Sequence, residues 1–111
     1  MKWLEIAIGA GQQEYLQELV EYASPRYEFE TRINAFQLLK RLNYLDDKSA
    51  GYLLDGYLYW NYKVSNSAKE VLQYFYQQNR GKEIIDIALS SGTWPAESKV
   101  KVEKMLEGKS N

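Results

Sequence analysis

The chain has 111 residues, 45% of them apolar, with 14 basic and 15 acidic side chains for a net charge of −1. That length and balance fit one folded domain and argue against disorder. Cysteine and histidine are both absent, which excludes disulfides, thiolate chemistry, zinc sites built from Cys and His, and an imidazole base.

The aromatic set is unusual: ten tyrosines against three phenylalanines and three tryptophans. Tyrosine brings a large ring to a core or interface while its hydroxyl seeks a partner. The acids are scattered and none follows an EF-hand spacing, so no metal or cofactor site is expected. No basic excess or stripe marks a nucleic-acid binder: Lys99, Lys101, Lys104 and Lys109 are interleaved with Glu97, Glu103 and Glu107, as on a solvated helix face. No apolar run approaches the roughly 20 residues of a membrane span. Trp3 to Ile8 is too short for a signal peptide and carries Glu5. A cytoplasmic or otherwise soluble setting is expected.

Apolar spacing at 3.6 residues per turn predicts about seven helices. The first lies near Trp3 to Ile8 and stops at Gly9-Ala10-Gly11. Tyr15, Leu16, Leu19, Val20 and Tyr22 give the second one face, ending around Ala23. Ser24-Pro25 predicts a restart, the hydroxyl capping and proline at the first helical position. Phe29, Ile33, Ala35, Phe36, Leu38, Leu39 and Leu42 trace a broad stripe from Glu28 to Asn43. Asp46-Asp47 caps a helix expected to run through Tyr52, Leu53, Tyr57, Leu58 and Trp60.

Ser67-x-x-Glu70 reads as a capping box opening the next helix, which carries Val71, Leu72, Phe75 and Tyr76. Asn79-Arg80-Gly81 is expected to break it. Ile84, Ile85, Ile87, Ala88 and Leu89 form another helix ended by Gly92, and Trp94-Pro95 opens the last, with Val102, Met105 and Leu106 on its apolar face. Tyr57-Leu58-Tyr59-Trp60 has strand propensity but sits inside a helical period.

A signature recurs along these helices. Ala35-x-x-Leu38-Leu39, Ala68-x-x-Val71-Leu72 and Val102-x-x-Met105-Leu106 are spaced by 33 and then 34 residues. The segment Tyr52 to Leu58 matches Glu83 to Leu89, 31 residues later. Such a period predicts an all-α fold, a right-handed α-solenoid of about three antiparallel helix pairs over residues 1–111. The lysine- and glutamate-rich last helix reads as a cap. The first unit opens in mid-helix, so the chain is expected to be a fragment or C-terminal domain of a longer protein.

The repeat resembles HEAT and armadillo-like units. Tyr27 to Leu39 carries most of the likeness, following Ser24-Pro25, with Asp46-Asp47 in the inter-helix turn where such repeats often place an acid. Asn79-Arg80-Gly81 departs from that pattern in the third unit, and the period is short for HEAT. Tetratricopeptide positions do not match. Ser24 to Phe75 also looks like the C-terminal helical domain of zinc aminopeptidases of the aminopeptidase N and leukotriene hydrolase group. That likeness implies a non-catalytic domain which closes over the catalytic domain and helps select peptides. With no histidine here, none of the His-Glu-x-x-His machinery carries over to any residue.

No catalytic motif emerges from these residues. The binding candidates are Tyr52, Tyr57, Tyr59, Trp60 and Tyr62, which cannot all be buried together on one helix. Tyr74 and Tyr76, which flank core-facing Phe75, and Arg32 join them. The simpler reading fills the groove between stacked helices with these rings. Arg32 is expected to pair with Glu28 on the same helix face, and Asp55 and Asp86, at equivalent repeat positions, to form a polar ladder. The leading functional expectation is a non-catalytic helical-repeat domain that binds protein or peptide, as part of a larger aminopeptidase-like metallopeptidase. Alternatives are a freestanding interaction scaffold and a HEAT-like DNA-repair glycosylase that holds a flipped base.

Overall fold

A computed structural model describes residues 14–108, which form six α-helices and no strand. They are α1 (Tyr15–Tyr22), α2 (Phe29–Leu42), α3 (Asp47–Tyr57), α4 (Tyr62–Tyr76), α5 (Asn79–Ser91) and α6 (Ala96–Leu106). The helix expected near Trp3 to Ile8 lies outside the described residues.

Helix ends are set by local chemistry, and several differ from expectation. Ser24-Pro25 does not open a helix. Tyr27 N–H bonds Ser24 O at 3.2 Å, so proline serves a turn, for which its fixed φ is equally suited. Glu28, in extended backbone, is the residue before α2. At the other end Asn43 adopts φ 53°, and Tyr44 N–H closes on Leu39 O at 3.0 Å. Asparagine tolerates that left-handed stop better than any branched side chain.

A reciprocal capping box opens α3: Ser49 N–H donates to Asp46 Oδ1 at 2.7 Å and Asp46 N–H to Ser49 Oγ at 2.9 Å. This helix stops at Tyr57 rather than running through Trp60, because Asn61 starts the next one. Asn61 Oδ1 accepts from Lys63 N–H at 2.9 Å and Val64 N–H at 3.3 Å. Ser65 Oγ in turn donates to Tyr57 O at 2.6 Å, satisfying a terminal carbonyl of α3. Leu58, Tyr59 and Trp60 are left in the connection.

Ser67 therefore sits inside α4 and caps nothing. Gln37 Nε2 donates to Ser67 Oγ at 3.0 Å and Glu70 Oε2 at 2.9 Å, which ties α2 to α4. Asn79-Arg80-Gly81 is the first turn of α5 rather than a break. Gly81 is required there, since a Cβ would lie 2.2 Å from Phe75 O. Gly92 ends α5 under Trp94, whose Nε1 donates to Ala88 O at 3.2 Å.

Helices two apart in the chain stack on one another: α2 on α4, α4 on α6, and α3 on α5. Among consecutive helices the main pairings are α1 with α2, α3 with α4, and α4 with α5. The recurring triplets fall in α2, α4 and α6, and all nine side chains are buried. Leu53, Leu54 and Ile85 are fully buried in α3 and α5. Each leucine withdrawn from water contributes roughly 1.5–3 kcal/mol, so this seam is the main source of cohesion.

Candidate interaction surface

Arg32 organises one side of the molecule. It does not pair with Glu28, whose Oε1 accepts from Thr31 Oγ1 at 3.5 Å instead. The Arg32 side chain is 1% exposed and reaches three segments at once. Nε donates to Ala23 O at 3.0 Å, while Nη2 donates to Tyr52 O at 3.3 Å and Asp55 Oδ2 at 3.1 Å. Its cation lies 5.4 Å from the Phe36 ring centroid and 5.5 Å from that of Tyr59. A planar guanidinium can serve this place because it stacks and donates in several directions together. Such a buried group supports the surface from beneath.

Above it, Phe29, Tyr59 and Trp60 form a mutually packed aromatic group. Ring centroids are 5.8 Å apart for Phe29–Tyr59, 5.3 Å for Phe29–Trp60 and 5.4 Å for Tyr59–Trp60. The first two meet edge to face, the favourable arrangement for ring quadrupoles. Yet Trp60 remains 75% exposed, and Tyr62, at the start of α4, 69% exposed. The Trp60 ring therefore stands in water on a braced base, with exposed Tyr62 two residues further on.

The remaining candidates go elsewhere. Tyr52 is half-buried against the core and lends its carbonyl to Arg32. Tyr57 is buried beneath Lys101, whose Nζ lies 5.2 Å from the ring, and burial pushes its hydroxyl pKa up. The Tyr74 hydroxyl donates to Asn43 Oδ1 at 3.3 Å, and Lys40 Nζ lies 5.4 Å from its ring. Tyr76 donates to Asp86 Oδ1 at 2.9 Å; burial, then the Asp86 carboxylate, pushes it up to about 12. Asp55 and Asp86 are thus committed to different partners, Arg32 and Tyr76. The spacing of Phe29 places it on the core stripe. Its place in the aromatic group has no signal in the chain, because Tyr59 and Trp60 are 30 and 31 residues away.

Among the described residues no group of three acidic side chains is placed to hold a metal ion, and no helix is long and apolar enough to cross a membrane. Asp55, the carboxylate beneath this surface, is held by Arg32 at 3.1 Å. What the surface offers is apolar ring area with a hydroxyl at Tyr59 and at Tyr62 and an indole N–H at Trp60. No family model matches the chain, and neither a curated protein nor a solved structure matches it. Function therefore rests on these side chains alone.

Proposed function

We propose that this protein is a non-catalytic helical-repeat module that presents the Phe29–Tyr59–Trp60–Tyr62 surface to a protein or peptide. The observation that carries the reading is the combination at Trp60: 75% exposure on a ring already packed against Phe29 and Tyr59. An immobilised aromatic loses little entropy on docking, and Trp and Tyr dominate interface hot spots. A solenoid is supported by the stacking of helices two apart and by the burial of all three triplets at the repeat period. On the resemblance of Ser24 to Phe75 alone, we further propose that the module belongs to a larger aminopeptidase-like metallopeptidase, where the surface would meet the catalytic domain or its peptide substrate.

A displayed random-peptide library tests the binding reading. Peptides selected on the wild-type protein are expected to lose at least about 30-fold in affinity for Trp60→Ala, the size of a 2 kcal/mol hot spot. The helical circular dichroism spectrum should stay unchanged. Failure to select any peptide, or equal binding by the variant, would overturn the proposal.

A further inference from the structure

Where the α2–α3 and α4–α5 connections meet, the surface holds a partly open cavity of about 200 Å³. Asn43, Gln78 and Arg80 line it with polar groups, and Leu45, Phe75 and Ile84 give it apolar walls. At about 30 Å³ per water, the space holds roughly seven waters, enough for one side chain and too little for a cofactor.

Its polar lining is fixed before any ligand arrives. The left-handed turn at Asn43 places that side chain so that Oδ1 accepts from Gln78 Nε2 at 3.0 Å and from Tyr74 Oη at 3.3 Å. Both carbonyl lone pairs are then used, and among the described residues neither amide N–H of Asn43 has a partner. Arg80 is exposed and makes no ion pair with a described residue. It lies near enough to the Tyr44 hydroxyl for its charge to act there. Asp46, the acid that holds the Tyr44 hydroxyl, has both oxygens in use: Oδ2 accepts from Tyr44 Oη at 2.7 Å, and Oδ1 from Ser49 N–H at 2.7 Å. The cavity thus offers a guanidinium fork and amide donors at its rim over an apolar interior, and no carboxylate of the described residues pairs with that fork.

We propose that this cavity takes a carboxylate on a short apolar stem, the chemistry of a glutamate side chain or of a peptide's free C-terminus. Guanidinium recognises a carboxylate through paired, charge-assisted hydrogen bonds, and the stem occupies the space beside Phe75 and Ile84. The site involves none of the residues around Trp60 and does not depend on the reading of that surface.

Amide chemical shifts of the full chain provide the test, with N-acetyl-glutamate amide and N-acetyl-leucine as probes of the two sources. N-acetyl-glutamine amide and N-acetyl-leucine amide are the neutral counterparts. We expect saturable shifts at Asn43, Tyr44, Gln78, Arg80 and Gly81 from at least one acid, with dissociation constants on the order of 1 mM. Its neutral counterpart should give none, and Arg80→Gln should weaken binding at least about tenfold while leaving the remaining spectrum in place. The acid that binds identifies the source. Equal shifts from an acid and its amide, retention of binding in Arg80→Gln, or no saturable shift from either acid would overturn the proposal.

Discussion

Arg32 and Asp55 meet at 3.1 Å across 23 residues of sequence, the arginine 1% exposed and the aspartate 41% exposed. The pair joins α2 to α3 directly beneath Tyr59. Removing the acid and removing the base are therefore unequal changes. Asp55→Ala leaves a buried cation without its counter-charge and is expected to cost about 2 kcal/mol. That is less than the roughly 3–5 kcal/mol of a fully enclosed pair, because water reaches Asp55. Arg32→Met removes the charge and keeps much of the volume, so it should cost less. Urea unfolding of the two variants checks the order, and a larger loss in Arg32→Met would contradict it.

Two glycines should respond to alanine with opposite signs. At Gly81 a methyl would stand 2.2 Å from Phe75 O, which forces α5 away from α4, at a cost of about 1–3 kcal/mol or more. Gly51 is inside α3 with no atom within 4 Å of an added Cβ. There alanine is expected to stabilise by about 0.5–1 kcal/mol, through helix propensity and a less disordered unfolded chain. Thermal midpoints that move in the same direction would refute this account of both sites.

Acid should act on the α3 cap. Burial alone would push Asp46 up, but hydrogen bonds from the Ser49 backbone and from Tyr44, with weaker help from the Ser49 hydroxyl and Lys48, outweigh it and hold the carboxyl below its usual 3.8. A lowered folded pKa means a contribution that is present above pH 3.8 and lost as pH falls through the folded value. Asp46→Asn keeps a good capping group and should match the wild type near neutrality while losing part of the acid sensitivity between about pH 5 and 2. Asp46→Ala should lose about 1 kcal/mol already at pH 7. Urea midpoints across that range decide the matter.

Alkali should act on two hydroxyls. Burial, reinforced by Asp46 at Tyr44 and by Asp86 at Tyr76, raises each from 10.0 to about 12. The unfolded chain ionises first, so the stability these groups contribute is full below pH 10 and is lost as pH rises towards 12. Ultraviolet titration of the folded protein should show a late tyrosinate component near pH 12. That component should disappear in the Tyr44→Phe, Tyr76→Phe double variant, and its persistence would mean that other tyrosines cause it.

Helical faces could be read from the chain because burial imposes a period. The stripe from Phe29 to Leu42 and the three triplets needed no tertiary information. Signals that fit two structures were less reliable. Ser24-Pro25 suits a turn as well as a helix start, and Ser67-x-x-Glu70 was pre-empted by Asn61 six residues earlier. Local spacing paired Arg32 with Glu28, whereas the folded chain offered Ala23, Tyr52 and Asp55. The aromatic group and the cavity beside Arg80 both join segments far apart in sequence, and no periodicity encodes such meetings.

The last helix, α6, is held chiefly by α4. Gln73 Nε2, which donates to Met105 O at 3.1 Å, fastens that seam. Its amides should be first to exchange with deuterium, since few neighbours must let go for it to detach. Tension applied beyond Leu106 would peel this segment away while α2 and α3 stayed intact. The bared face of Val102, Met105 and Leu106 would then be adhesive, and a departure that costs little energy would become a hazard for clumping.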